Sequence, residues 1–149
     1  LVVRDVPLTN ESAIALENAN TELPYAELKT EVAIDRVTSV ATPRTLERVP
    51  AGAVFGPAEL VFNIYEEADF DRFKSVIEAL QLVEDDYLGG AGSRGSGKIR
   101  FSKLEVKGRA AEDYAELESF GTFENVQELL NAFEDLKGEL MAKIPVRVE

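Results

Sequence analysis

The stretch Gly89-Gly90-Ala91-Gly92-Ser93-Arg94-Gly95-Ser96-Gly97-Lys98-Ile99-Arg100-Phe101, written GGAGSRGSGKIRF, contains five of the chain's ten glycines. From Gly92 to Lys98 it matches the P-loop pattern G-x-x-x-x-G-K, but Ile99 stands where a hydroxyl would coordinate magnesium. A P-loop lies between a strand and a following helix. Here the local patterns predict a helix before the loop and a strand after it. This order disfavours a single nucleotide as ligand and leaves a nucleotide-binding enzyme domain using Lys98 as the alternative.

The loop also begins the most basic part of an acidic chain. The net charge of the 149 residues is −12, yet residues 92–109 hold six basic side chains and one acid, a local charge of +5. Closely spaced glycines let main-chain N–H groups converge on an anion and let a polyanion approach closely. The segment therefore predicts contact with a sugar-phosphate backbone, read for shape and charge. On the loop alone, a flexible and merely solvated surface loop explains the pattern equally well.

Composition excludes several kinds of chemistry within this stretch. The chain has no cysteine and no histidine, so thiolate nucleophiles, imidazole bases, disulfides and zinc-finger sites are absent. Carboxylates, lysine, hydroxyls or an oxygen-bound metal must supply any chemistry. No apolar run approaches the roughly 20 residues that cross a bilayer, and no signal-peptide pattern is present. We therefore expect a cytoplasmic protein without a membrane partner.

The patterns before the loop predict a series of strands and two helices. The predicted elements are a strand over 1–6, a helix over 11–18 capped by Thr9 or Asn10, an extended strand or hairpin arm over 25–41, a turn or excursion over 43–52, and a strand over 53–65. Asp69 is expected to cap the next helix, which should end near the acidic run Glu84-Asp85-Asp86. We interpret that run as a solvated helix end, because it lies beside a basic loop.

Two further elements are predicted after the loop. Residues 99–107 alternate as a strand, with a bulge near Ser102-Lys103, and residues 123–142 carry the apolar stripe of a helix. Strands separated by two main helices predict an α+β fold, with helices on one face of a mainly antiparallel sheet.

The residues around the loop resemble a known family. The segment Leu80-x-Leu82-Val83-Glu84-x-Asp86-Tyr87-Leu88, followed by the glycines to Gly97, resembles the glycine-rich signature of RAMP proteins, the RNA-binding subunits of CRISPR effector complexes. Upstream, ELKTEVAIDRVT over 27–38, PRTLERVP over 43–50, and LVVRD over 1–5 with Leu8-Thr9 are similar to the backbone RAMP subunit of type III-A (Csm) complexes. These ordered motifs span residues 1 to about 100.

The resemblance implies a ferredoxin-like (RRM-type) RAMP fold with a thumb-like hairpin insertion. Residues 1–149 would form a single RAMP-type RNA-binding domain that lacks its N-terminal part. The implied function is that of a CRISPR RNA-binding backbone subunit of a type III interference complex in antiviral defence, with copies stacked along the guide RNA and target RNA positioned for cleavage. Its partners would be the guide RNA, the target RNA, copies of itself and other effector subunits.

The resemblance also assigns roles to individual residues. The loop would lie near the guide backbone, and its RNA-binding residues would be Gly89, Gly90, Gly92, Ser93, Arg94, Gly95, Gly97, Lys98 and Arg100. The family usually has an aromatic residue before the last loop glycine, where Ser96 stands here. Residues 31–50 would form the thumb, which inserts at the guide–target duplex, and the RNA-contacting residues there would be Arg36, Val37, Thr38, Arg44 and Arg48. The alternative role for these arginines is local ion pairing with Asp35 and Glu47.

The resemblance also implies cleavage of target RNA. The family cleaves target RNA with a divalent metal, of which Mg²⁺ is the expected one, and with an aspartate in an N-terminal loop near a Pro-Gly-Ser-Ser-Leu-Lys-Gly-like segment. This chain contains no such segment, and the surroundings of Asp5 match a later strand better. The resemblance therefore implies a metal-dependent endoribonuclease whose catalytic aspartate precedes Leu1, with no metal ligand in this stretch. A RAMP subunit that binds RNA without cleaving it is the alternative.

Overall fold

A computed structural model describes residues 1–19, 21–111, 114, 116–144 and 146. The chain divides into two compact units, Leu1–Val61 and Phe62–Glu149. Both units combine helices with antiparallel strand pairs, which confirms the predicted α+β class. The strands of the described residues form three separate two-stranded sheets, where the sequence suggested one larger sheet. None of the helices in this part of the chain has the length and apolar content that a membrane span requires.

The described residues of the first unit include a short helix and a short strand pair, besides a long hairpin. Strand β1 (Val2–Val3) pairs antiparallel with β4 (Leu60–Val61), and helix α1 runs over Asn10–Glu17. The predicted cap is confirmed, because the Thr9 hydroxyl accepts a hydrogen bond from Ser12 N–H at 3.3 Å. The strands predicted over 1–6 and 53–65 are much shorter than expected. Pro57 lies in the second of these segments and Pro7 directly follows the first, and neither proline can donate to a strand ladder.

The same unit contains a long β-hairpin, made of β2 (Glu27–Ile34) and β3 (Ala41–Arg48). The two strands are in register from the pair Glu27 and Arg48 to the pair Ile34 and Ala41. The prediction of a turn over 43–52 was therefore wrong for residues 43–48, which form the second arm. Pro43 is tolerated opposite Val32, because each strand of a two-stranded ribbon has an open edge where a missing N–H breaks no ladder bond. The hairpin that the resemblance implied is confirmed.

The tip of this hairpin is closed by one carboxylate. Asp35 accepts hydrogen bonds from Val37 N–H at 2.8 Å and Thr38 N–H at 2.9 Å. The backbone N–H groups of Thr38 and then Val37 lower the pKa of Asp35. Asparagine and aspartate commonly close turns in this way. The Asp35 side chain thus stabilises the turn through these two hydrogen bonds.

The second unit packs three helices against one face of a strand pair. Its elements are α2 (Ala68–Asp85), β5 (Leu104–Gly108), β6 (Glu118–Phe123), α3 (Val126–Asn131) and α4 (Phe133–Lys143). The helices contribute the buried core residues Phe70, Ile77, Val126, Leu129, Phe133, Leu136 and Leu140, and half-buried side chains of β5 and β6 pack against them. Leu104 and Val106 face this core while Glu105 and Lys107 are exposed. Within this unit, the expected placement of helices on one sheet face is confirmed.

Helix α2 begins differently from the prediction. Its N-cap is Glu67, which makes no side-chain capping bond, and Asp69 already lies inside the helix. The Asp69 carboxylate reaches back to accept from Tyr65 N–H at 2.9 Å and Glu66 N–H at 3.2 Å. These bonds satisfy backbone donors in the approach to the helix, much as a capping box does. The Tyr65 N–H, followed by the Arg72 guanidinium, lowers the pKa of Asp69.

The elements after the loop also differ from the prediction. Pairing in β5 starts only at Leu104, because Lys103 adopts a φ of 56°, and the register shift lies between Val106 and Lys107. Strand β6 was not predicted. The helix expected over 123–142 begins at Val126, because Asn125 caps it by accepting from Glu128 N–H at 2.9 Å. It is interrupted at Ala132, and nothing in the apolar spacing marks that break.

Candidate nucleic-acid interface

The glycine loop is a closed and ordered turn structure at the end of α2. Leu88 N–H donates to the carbonyl of Gly97 at 2.9 Å, which joins the two ends of the loop. Between them, residues Gly92–Arg94 form one 3-10 turn, with Gly95 N–H bonded to the Gly92 carbonyl at 2.8 Å. The chain then enters β5 without a helix, as predicted. Without a helix N-terminus behind the loop, the nucleotide-binding alternative is not favoured.

The backbone of the loop presents hydrogen-bond donors that the protein does not use. Gly89 and Ala91 have left-handed φ angles of 83° and 60°, whereas the intervening Gly90 and the following Gly92 do not. No residue in the described part of the chain accepts a hydrogen bond from the N–H groups of Gly89, Gly90, Gly92 or Ser93. Successive backbone N–H groups in a turn of this kind can converge on an anion, which is the arrangement called a nest. The loop therefore has the donors that a phosphate group needs.

An open cavity of about 400 Å³ lies against this loop, lined by Asp86, Tyr87, Gly92, Ser93, Gly95, Ser96 and Lys98. The Tyr87 ring packs directly on Gly92, since a Cβ added there would lie 2.0–2.3 Å from three ring atoms. A Cβ at Gly97 would lie 2.4 Å from the Leu88 carbonyl oxygen. Glycine is thus required sterically at these two positions.

The other loop glycines face open space. A Cβ added to Gly89, Gly90 or Gly95 would meet nothing within 4 Å. The absence of side chains there leaves the outer surface of the loop accessible to a polyanion. Tyr87 was not selected from the sequence as a site residue, although an aromatic side chain directly before the glycines was a usable signal.

The basic side chains near the loop differ in what they contact. Arg94, Lys98 and Arg100 are all exposed. The Lys98 ammonium donates to the backbone carbonyl of Glu84, in the last turn of α2. Arg100 forms no ion pair with any residue that the structure describes. Arg100 therefore has its full hydrogen-bonding capacity available for a phosphate.

Further along the chain, neighbouring side chains contact two of the basic residues counted in 92–109. Lys107 pairs with Glu105 at 2.8 Å on β5, and this ammonium group lowers the pKa of Glu105. The Arg109 guanidinium lies 3.7 Å from the ring centroid of Tyr114. Available positive charge is therefore concentrated at the loop and not along β5.

The predicted hairpin arginines lie in the first unit. Arg44 pairs with Glu31 at 3.1 Å, and Arg48 pairs with Glu27, in both cases directly across the ribbon. Ion pairing was anticipated, but its predicted partners were wrong. Asp35 is used in the turn, and Glu47 is paired in register with Leu28, on the other face of the ribbon. The carboxylates of Glu31 and Glu27 are only 16% and 33% exposed, whereas the arginine side chains are 45% and 38% exposed, so each guanidinium keeps part of its surface open to a phosphate group.

The tip of the hairpin is exposed and largely apolar. Val37 is 92% exposed, and Val40 and Ile34 are exposed as well. Arg36, beside Val37, makes no ion pair within the described residues, and Thr38 donates its N–H to Asp35. The predicted residues Arg36, Val37 and Thr38 thus lie together at one accessible end of the hairpin.

The carboxylates do not form a metal site in the part of the chain that the structure describes. No group of three or more acidic side chains there is placed to hold an ion. In the run Glu84-Asp85-Asp86, Glu84 is half-buried and its carboxylate accepts from Phe101 N–H at 2.5 Å. The interpretation of this run as a solvated helix end is therefore wrong for Glu84. The described residues therefore offer no cluster of three carboxylates for a divalent ion.

The sequence was also compared with those of known proteins. No family model matches the chain. It is 39% identical over 132 residues to a protein of Methanothermobacter thermautotrophicus named "CRISPR system Cms endoribonuclease Csm3", with 87% of this chain and 53% of the relative covered. Proteins of the same name from Methanocaldococcus jannaschii and Streptococcus thermophilus are 40% and 39% identical, over 137 and 109 residues. These alignments cover 90% and 71% of this chain and 52% and 48% of the relatives.

The structure combines three features that are expected of a RAMP-type protein. These are an α+β fold, a glycine loop between a helix and a strand, and a long hairpin. The chain belongs to the Csm3 family, which confirms the resemblance to the type III-A backbone subunit. It spans about half the length of the curated relatives it matches.

Proposed function

We propose that residues 1–149 act as one RAMP-type RNA-binding domain of a CRISPR RNA-binding backbone subunit in a type III interference complex. The observation that carries this proposal is the set of unused N–H groups at Gly89, Gly90, Gly92 and Ser93, beside the exposed Arg100. Backbone amides and arginine are suited to phosphate oxygens and carry no base preference. The loop therefore holds the guide RNA by its backbone.

This mode of binding leaves sequence recognition to base pairing. In RNA-guided systems the protein reads shape and charge while the guide selects the target. Copies of the subunit stack along the guide, and other effector subunits complete the assembly, which acts in the cytoplasm. The overall charge of −12 fits this arrangement, because it confines attraction for RNA to a few basic positions.

The hairpin contributes the second RNA contact. Its tip combines the exposed Val37 and Val40 with the cationic Arg36. Apolar side chains can wedge between stacked bases while a neighbouring cation holds the phosphate. We assign Arg36, Val37 and Thr38 to contact with the guide–target duplex, and Arg44 and Arg48 to its backbone.

Target RNA cleavage belongs to the proposed activity of the whole protein, whose relatives are named endoribonucleases. A divalent ion such as Mg²⁺ would offset charge developing on the scissile phosphate. The carboxylates of the described residues do not form a site for it. We assign guide and target binding to residues 1–149, and target cleavage to the protein as a whole.

The test is the salt dependence of binding to single-stranded RNA by fluorescence anisotropy. Removing one cation from a phosphate lowers the slope of log Kobs against log salt by about 0.7 on single strands. The double variant Arg94→Ala/Arg100→Ala should bind at least several-fold more weakly, with a slope lower by about 1 to 1.5. The matched control Lys74→Ala/Lys137→Ala removes two cations from helices α2 and α4, where they pair with Glu134 and Asp71. An equal effect of both double variants would contradict the proposal, and saturable ATP binding abolished by Lys98→Ala would favour a nucleotide site.

A further inference from the structure

We propose that Glu84 is a positioning residue that holds the glycine loop in its RNA-binding conformation. The inference rests on the proposed function of the loop. Glu84 lies in the last turn of α2 and accepts hydrogen bonds from two residues of the same loop limb. Its backbone carbonyl accepts from the Lys98 ammonium, and its carboxylate accepts from Phe101 N–H at 2.5 Å.

These bonds fix the segment that carries Arg100. This arginine directly precedes Phe101, whose backbone N–H bonds to Glu84, and it lies two residues after Lys98, whose side chain bonds to Glu84. The bond from Leu88 N–H to the Gly97 carbonyl at 2.9 Å closes the other side of the same limb. The guanidinium of Arg100 therefore extends from a backbone that is held on both sides.

The charges at this helix end support a positioning role. A helix C-terminus favours cations, yet α2 has no basic residue in its last turn and carries Glu84 and Asp85 there. Lys98 supplies the missing cation from the loop, by a bond to the Glu84 carbonyl. The Glu84 carboxylate is unfavourable for the helix itself, but its charge strengthens the bond that it accepts from Phe101.

A held loop changes the free energy of RNA binding. A backbone that is already ordered loses less conformational entropy when RNA binds, so the affinity for RNA is higher. Simple electrostatics makes the opposite prediction for Glu84, because removing a negative charge near RNA should tighten binding. The sign of the change in affinity therefore separates a positioning role from a mere charge effect.

The experiment measures single-stranded RNA affinity and its salt slope for four variants. Glu84→Ala removes the charge and the side-chain acceptor, Glu84→Gln keeps a side-chain acceptor oxygen, and Glu84→Asp keeps the charge on a side chain too short to reach Phe101. All three keep the backbone carbonyl that accepts from Lys98. Asp85→Ala is the matched control, since Asp85 is exposed and its carboxylate makes no hydrogen bond or ion pair with the described residues. We expect Glu84→Ala and Glu84→Asp to bind about 3- to 10-fold more weakly with an unchanged slope. Glu84→Gln and Asp85→Ala should bind as tightly as the parent chain or more tightly.

A second readout does not require RNA. Amide hydrogen exchange at Phe101 should be slow in the parent chain and in Glu84→Gln, and fast in Glu84→Ala and Glu84→Asp. Equal affinities of Glu84→Ala and Asp85→Ala, or equal losses in Glu84→Gln and Glu84→Ala, would overturn the inference. If Glu84→Ala does not fold, Glu84→Asp and Glu84→Gln give the same contrast. Failure of the proposed function is distinguishable, because Arg94→Ala/Arg100→Ala would then leave RNA binding unchanged while Phe101 exchange still reports the bond to Glu84.

Discussion

The substitution Gly92→Ala tests the packing of the RNA-binding loop. A methyl group at this position would lie 2.0 Å from Cδ1, 2.2 Å from Cγ and 2.3 Å from Cε1 of Tyr87. Cγ is the ring atom nearest the backbone, so rotation of the ring about its own axis does not relieve the clash. The φ angle of Gly92 is outside the left-handed region, so backbone strain adds nothing. Tyr87 must therefore change its rotamer and leave Gly92.

The loss of stability expected for Gly92→Ala follows from the burial of the Tyr87 ring. Tyr87 is 41% exposed, so more than half of its surface is covered. A fully buried aromatic side chain removes about 150–250 Å² from water. At about 25 cal/mol per Å², complete expulsion of the ring costs about 3 kcal/mol. Partial adjustment costs less, as overpacked sites generally do, and we expect Gly92→Ala to lower the free energy of unfolding by about 1–3 kcal/mol.

Gly90→Ala is the matched control for this prediction. Gly90 also has an ordinary φ, and a Cβ there meets nothing within 4 Å. Its free energy of unfolding should lie within about 0.5 kcal/mol of the parent value. Urea denaturation of the three proteins provides the comparison. Equal stabilities of Gly92→Ala and Gly90→Ala would refute the assigned contact between Gly92 and Tyr87.

Three further predictions concern the core, the start of α2 and the hairpin. Phe133→Ala, at a position 1% exposed, should lower the free energy of unfolding by about 3–5 kcal/mol in urea titrations, and a loss below about 1 kcal/mol would contradict the described core. Because the folded-state pKa of Asp69 lies below its ordinary value of 3.8, its stabilisation is complete above about pH 4 and is lost as the pH falls through the lower folded value. Asp69→Asn should therefore flatten the acid limb of the stability profile below about pH 4, and an unchanged limb would show that other groups cause the loss of stability in acid. Val37→Ser should leave the midpoint of thermal unfolding unchanged, because Val37 is 92% exposed, but should weaken binding to a guide–target duplex; equal duplex affinity would remove the tip from the interface.

The sequence was most informative where local chemistry decides structure. The spacing of the glycines, the helix before them and the strand after them located the loop correctly. The Thr9 cap and the apolar face of α2 were likewise local features. The steric need for glycine at 92 and 97 was not predictable, because it arises from contacts with Tyr87 and Leu88.

The sequence was least informative where tertiary context overrides a local rule. Pro43 suggested a chain break, yet an open ribbon edge accommodates it in β3. Strand β6 includes Gly121, which weakens the alternating signal of a strand. Glu84 was assigned to a solvated run because the partner of its carboxylate is 17 residues away. Patterns within one turn of a helix do not reveal such a bond.

The most direct test of RNA binding by the loop is the perturbation of its amide resonances. Single-stranded RNA titrated into the ¹⁵N-labelled protein should shift the N–H resonances of Gly89, Gly90, Gly92 and Ser93 most strongly and downfield, because these donors have no acceptor among the described residues. The same titration of Arg94→Ala/Arg100→Ala should require several-fold more RNA. Saturable RNA binding that leaves these four resonances in place would contradict the account.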